Sequence, residues 1–205
     1  TPSFTFTTNE TGTLTTNISQ GFSSGSSVSI SSIGSHTITF NTLPEKEYSG
    51  KTITLTDSAG NATSMILDTF TVDTTPPTIN TYNPSQGGTL SSNSDNIILT
   101  FDESIVAGTG NIVLTPSSGS AITIDVTNTS FVTFSSNICT INPSSDLDAT
   151  GLTYTVTMDS GVIKDNAGNN FAGISGTTYQ FNSKDITAPT INTYNPSQGG
   201  TLSSN

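Results

Sequence analysis

Apolar residues alternate with threonine, serine or asparagine along most of the chain. Ser3 to Thr8 reads Ser-Phe-Thr-Phe-Thr-Thr, and the same alternation returns over Gly12 to Ile18, Ser27 to Ile33, His36 to Asn41, Lys51 to Asp57 and Thr63 to Val72. It continues over Thr78 to Asn83, Asn96 to Asp102, Asn111 to Thr115, Ala121 to Thr127, Ser130 to Phe134, Ile138 to Ile141, Leu152 to Met158 and Gly176 to Phe181. A period of two places the apolar side chains on one face of an extended strand, whereas a helix scatters them round its axis. Gly, Asn, Ser and Pro clusters separate the runs at the spacing of short antiparallel strands. Serine and threonine supply about a third of the residues, and arginine and tryptophan are absent, so residues suited to a pleated surface outnumber helix formers. The prediction is an all-β chain of antiparallel β-sandwiches.

One long segment occurs twice. Asp73 to Asn93 reads DTTPPTINTYNPSQGGTLSSN, and Asp185 to Asn205 repeats it with changes only at Thr74/Ile186 and Pro76/Ala188. The two copies start 112 residues apart, which is the length of a whole domain rather than of a solenoid unit. The prolines of Thr75-Pro76-Pro77 and Thr187-Ala188-Pro189 make an extended, stiff connector that does not enter a central strand. Domains are therefore expected at 1–73 and 74–185, with the start of a third repeat at 186–205 and the array continuing beyond it.

The formal charge is −11. A phosphate backbone or an anionic lipid surface would be repelled, so neither nucleic-acid binding nor membrane insertion is expected. No apolar run approaches the length of a membrane span, and the first residues do not read as a signal peptide. Carboxylates without basic partners suit a hard divalent cation, with calcium the natural candidate. Cys139 is the single cysteine, which leaves no intrachain disulfide. Its place in Ile138-Cys139-Thr140-Ile141 reads as a buried, inert small hydrophobe.

The first expected domain carries Phe4-Thr5-Phe6, Glu10-Thr11-Gly12-Thr13-Leu14, His36-Thr37-Ile38-Thr39-Phe40, Asp57-Ser58-Ala59-Gly60-Asn61 and Phe70-Thr71-Val72-Asp73-Thr74-Thr75-Pro76. It resembles the bacterial immunoglobulin (Ig)-like domains found in tandem in secreted adhesins and surface proteins. The second resembles the sister type of S-layer and other exported proteins, in Leu99-Thr100-Phe101-Asp102-Glu103-Ser104-Ile105, Tyr154-Thr155-Val156 and Asp165-Asn166-Ala167-Gly168-Asn169. These resemblances imply tandem Ig-like sandwiches at the cell surface and calcium held at the domain poles by Asp side chains and backbone carbonyls. The candidate ligands are Asp57, Asp73, Asp102, Glu103, Asp165 and Asp185, with Asn61 and Asn169 beside two of them. The competing reading makes these Asp and Asn residues turn formers that cap their own backbone. Tyr154, after Leu147 and Gly151, reads as a tyrosine corner whose hydroxyl bonds back to the preceding loop.

Catalysis finds little support. The only histidine, His36, lies in a strand run, and no nucleophile sits in an elbow or triad motif. Asp102 and Glu103 are neighbours on a strand and point to opposite faces. Gly108-Thr109-Gly110 and Gly199-Gly200 lack a following helix to hold phosphate and read as hairpin turns. Four Asn-x-Ser/Thr triplets begin at Asn9, Asn17, Asn61 and Asn128, few of which would be used in a chain of this composition. The expected function is a non-catalytic segment of an extracellular adhesin stalk or surface fibre, with neighbouring Ig-like domains of the same chain as its partners. Two alternatives stand beside it. One is a subunit that self-associates into a filament or sheath through an edge strand or the segment from Ile186. The other is a carbohydrate-binding accessory module of a secreted hydrolase, disfavoured by the scarcity of aromatic platforms.

Overall fold

A computed structural model describes residues 2–25, 27–193 and 200. The chain divides into two compact units, one ending at Thr75 and the other beginning at Pro76, where a boundary after Asp73 is expected. Among the described residues, strands and isolated bridges make up 46% and there is no helix. Most of the expected third repeat, together with Gly199, lies outside the described residues. Its described part, 186–193 and 200, carries no strand.

The first unit contains β1 (Ser3–Thr8), β2 (Gly12–Thr16), β3 (Ser27–Ile30), β4 (Gly34–Thr39), β5 (Lys46–Tyr48), β6 (Thr52–Thr56), β7 (Ala62–Ile66) and β8 (Phe70–Val72). A four-stranded sheet runs β3-β2-β6-β7, and the antiparallel pairs β1-β4 and β5-β8 complete the unit. Its core takes the apolar half of each alternation: Leu14, Ile30 and Ile53 from the large sheet, Ile38 and Tyr48 from the pairs, and Phe22 and Phe40 between them. The expected single run from Thr63 to Val72 is two strands. At Ile66 the chain leaves β6, Leu67 turns into the core, and Phe70 resumes pairing opposite Tyr48 of β5. Two sheets thus share a run that sequence periodicity joins.

The second unit contains β9 (Ile79–Asn83), β10 (Ile97–Phe101), β11 (Ile105–Ala107), β12 (Asn111–Pro116), β13 (Ile122–Asp125), β14 (Val132–Ser135), β15 (Ile138–Ile141), β16 (Thr153–Met158), β17 (Ile163–Asp165) and β18 (Gln180–Asn182). Two four-stranded antiparallel sheets, β14-β15-β10-β9 and β13-β12-β16-β18, enclose the core, and β11-β17 forms a short third ladder. Ile97, Leu99 and Phe101 meet Ile112, Leu114, Tyr154, Val156 and Phe181 in one buried cluster. This is an Ig-like β-sandwich. Gly108-Thr109-Gly110 does not close a hairpin, because β11 pairs with β17 while β12 pairs with β13 and β16. Gly108 instead lets the crossing chain lie against Gly161, whose carbonyl oxygen occupies the space a Cβ would need.

The repeated segment has a structural task within this unit. Residues after β9 run beside the last strand: Gly87 N–H donates to the Gln180 carbonyl (2.8 Å), Leu90 N–H to the Asn182 carbonyl (3.0 Å), and Asn182 N–H to the Gly88 carbonyl (2.8 Å). The Tyr179 hydroxyl donates to the Pro84 carbonyl at 2.8 Å. The Asn93 side chain donates to the Lys184 carbonyl and accepts from its N–H. First and last segments of the unit are thereby sewn together, which leaves fewer buried backbone groups without partners. Tyr154 is buried, and its hydroxyl accepts the Asp148 N–H at 3.1 Å, as a tyrosine corner requires.

Cys139 is fully buried on β15, opposite Leu99 on one side and Phe134 on the other. Burial pushes its thiol up to about 12, so the nucleophilic thiolate is scarce at neutral pH. A thiol reagent is expected to leave the native protein unlabelled and to react stoichiometrically once denaturant is added. Rapid labelling without denaturant would contradict this burial.

Candidate functional site

The six candidate carboxylates fall into three local arrangements. Asp57 and Asp165 each open an Asp-x-Ala-Gly-Asn loop, and the two loops fold alike. The Asp57 Oδ1 accepts the Ala59 and Asn61 N–H groups, both at 2.8 Å, while its Oδ2 accepts the Asn61 Nδ2 at 2.8 Å. The Asp165 Oδ1 accepts the Gly168 and Asn169 N–H groups at 2.6 and 2.8 Å, and its Oδ2 accepts the Asn169 Nδ2 at 2.7 Å. In both loops the Asp N–H returns to the Asn carbonyl, and the intervening Gly60 and Gly168 adopt φ of 91° and 96°, a conformation that suits glycine. The environments differ sharply. Asp165 is 1% exposed, whereas Asp57 is in contact with solvent. The Asn61 side chain, followed by its backbone N–H, holds the Asp57 carboxyl below the ordinary aspartate range.

Asp73 and Asp185 occupy equivalent places in the two copies of the repeat. Each accepts the N–H of the threonine two residues on: Thr75 at 3.1 Å and Thr187 at 2.9 Å. In the first unit Glu45 accepts the hydroxyls of Thr74 and Thr75 as well, which lowers its pKa. The segment before the prolines is therefore shaped by its own aspartate in both copies, with Glu45 bracing the first and the Ala149 carbonyl, which accepts the Thr187 hydroxyl, the second.

Asp102 and Glu103 follow the end of β10. Asp102 accepts the Thr78 N–H at 2.8 Å and the Thr78 hydroxyl at 2.7 Å, fastening the start of the second unit to the end of its central strand. Glu103 is half-buried. The β11-β17 register sets Ile105 opposite Asp165, which carries Glu103 to the Asp165 loop, and their carboxylate oxygens lie within 4.8 Å of one another. Two carboxylates at this separation raise the local negative potential and offer hard oxygen ligands to a divalent ion. Three of the four lone-pair positions of Asp165 accept the loop hydrogen bonds above. The donor set thus fits a hard cation sharing Asp165 with its loop.

The Thr78 hydroxyl, then its backbone N–H, lowers the Asp102 pKa from the ordinary 3.8. The folded carboxylate consequently binds its proton less readily than the unfolded chain. Its stabilisation is complete above 3.8 and disappears as pH falls through the lower, folded value. Asp125 and Asp148 behave likewise, held chiefly by Thr127 and Thr150. The melting temperature should stay level from neutral pH to about 5 and fall steeply only below about 4. Asp102→Asn should flatten part of that fall, and an unaltered acid limb in the variant would count against the Thr78 clamp.

His36 lies on β4, with Nε2 3.0 Å from the Ser32 carbonyl and its ring beside Phe6.

The sandwich of the second unit falls within the match to a known family. Residues 73–183, more than half of the chain, match the bacterial Ig-like domain. The chain belongs to that family. Bacterial Ig-like domains form a structural fold family common in surface proteins. No curated protein matches the chain. Among the described residues, no helix is long and apolar enough to cross a membrane.

Proposed function

We propose that the chain is a non-catalytic segment of an extracellular adhesin stalk or surface fibre, in which Ig-like domains are strung end to end as spacers. One observation carries this reading. The same Asp-Thr/Ile-Thr-Pro/Ala-Pro connector flanks the Ig-like domain on both sides, and in both places the aspartate caps the threonine two residues on. A connector whose shape is set locally, and whose prolines restrict the backbone, transmits direction from one domain to the next better than a Gly/Ser linker. Function then lies in reach and stiffness.

Calcium is the proposed ion, held in the Ig-like domain by Glu103 and Asp165 with backbone carbonyls and water completing the shell. Its part is to neutralise two neighbouring carboxylates and stiffen the pole at which the connector enters. A site of extracellular-type affinity, filled at ten times its dissociation constant, stabilises by roughly 1.4 kcal/mol.

Small-angle scattering on the chain and on a version lengthened by one further repeat tests the stalk. The maximum dimension should rise by a full domain length, and a compact particle of unchanged dimension would end the reading. Calcium titration of the melting temperature tests the ion separately. A rise of several degrees that Glu103→Gln abolishes is expected, and equal melting in calcium and in chelator would make these carboxylates purely structural.

A further inference from the structure

The first unit has an open seam along one side of its sandwich. β1 pairs only with β4 and β7 only with β6, so both present unpaired outer edges. A cavity of about 380 Å³ runs between them, and a second of about 330 Å³ shares Phe4 with it and lies between β1 and the segment 67–70 that follows β7. Phe6, Leu55 and Met65 line the first, Phe40 and Phe70 the second, and β1 follows both. A six-residue strand spans about 20 Å, so the trough has the length of one extended segment. Natural sheets usually guard such edges with lysine, proline or a bulge. β7 reads Ala-Thr-Ser-Met-Ile, exposed at every residue and without a charge, a proline or a glycine. Thr8, on the β1 wall of the first cavity, carries the one buried side-chain oxygen among the described residues that has no hydrogen-bond partner.

The geometry points to this trough as a docking groove for an extended peptide of a partner protein, with apolar residues at alternate positions and a basic residue beyond each end. The alternation follows from the floor, because a strand lying on Phe4 and Phe6 buries every second side chain while its backbone meets a free edge. The basic ends follow from charge. No ionisable residue lines the first cavity, yet Asp68 stands at one end of the trough, and at the other an adjoining cavity opens on Glu10 and Asp57. A second copy of this chain fits poorly, since each copy carries a formal charge of −11 and would bring like charge against like. This groove is independent of the calcium reading and lies within the first unit.

The probe is a fluorophore-labelled peptide, Lys-Thr-Val-Thr-Val-Thr-Val-Lys, titrated with the full chain and followed by anisotropy. Saturable binding is expected. It should weaken at least about tenfold when both lysines are replaced by glutamate, and by a similar factor in Met65→Lys, which puts a cation on the groove wall. Met65 is exposed, so the variant should melt as the parent does. Thr63→Lys, on the same wall, supplies the same comparison should Met65→Lys unfold. Absence of saturable binding, equal binding of the two peptides, or indifference to both wall variants would overturn the proposal. So would concentration-dependent dimerisation that Met65→Lys abolishes, because the occupant would then be a second copy.

Discussion

Asp165→Ala is expected to destabilise the Ig-like domain by about 3 kcal/mol, measured by urea unfolding in the presence of chelator. Asp165 is nearly sealed from solvent, and its carboxylate accepts two backbone N–H groups and the Asn169 side chain. Truncation leaves the Gly168 and Asn169 N–H groups facing a methyl group. A buried donor that loses its acceptor costs about 1–3 kcal/mol. Removing the charge recovers some desolvation energy, but that relief cannot replace the acceptors around which the loop is wound. Asp57→Ala removes three contacts, to Ala59 and Asn61, from the corresponding loop of the first unit, where water reaches the freed donors, and its effect should be much smaller. Asp165→Asn should fall between the parent and alanine, because one amide oxygen still accepts while the new NH₂ meets the Asn169 Nδ2 donor. Equal losses in Asp57→Ala and Asp165→Ala would show that burial does not set the strength of this loop.

The contrast between those two loops also marks what can be read from residues alone. The Asp-x-Ala-Gly-Asn pattern identifies a turn, and glycine at the fourth position with asparagine at the fifth is the local signal for a self-capping loop. Nothing local separates a buried copy from an exposed one. Burial of Asp165 comes from β11 and β17, three-residue strands too short for a period of two to register and paired across a long sequence separation. The same ladder brings Glu103 to Asp165, so this approach of two candidate ligands was as illegible as the strands that create it. β5 was missed for the same reason. Clear runs fared differently: β1 and β15 coincide with their expected limits, Phe4 and Phe6 packing against the core in the first and Cys139 and Ile141 buried in the second. The Thr63 to Val72 run failed at the one step periodicity does not encode, the change of sheet at Leu67. The segment from Pro84 to Asn93 was legible as a repeat but not as the seam to β18, since its hydrogen bonds use backbone and Asn or Gln groups with no alternation.

Phe101→Ala should be the more damaging of the two changes, lowering the stability of the Ig-like domain by about 3–5 kcal/mol. Phe101 is fully buried at the end of β10, with its ring set edge-on to Phe171 at 5.2 Å between centroids. Truncation deletes a large apolar surface and leaves a cavity that neighbouring strands, tied by the Phe101–Asn137 backbone and side-chain hydrogen bonds, cannot close. At about 4 °C per kcal/mol for a domain of this size, the melting temperature should drop by roughly 15 °C. Ile138→Ala, on an adjacent strand but 36% exposed, is the comparison and should cost little. The change also bears on the ion. Phe101 immediately precedes Asp102 and Glu103, and Phe171 follows the Asp165–Asn169 loop, so this aromatic pair underlies both carboxylate-bearing segments. If their spacing is maintained by that packing, Phe101→Ala should lose the calcium-dependent rise in melting temperature along with its stability, whereas Ile138→Ala should keep it. A calcium response of undiminished size in Phe101→Ala would place the binding carboxylates elsewhere than on the segments this ring supports.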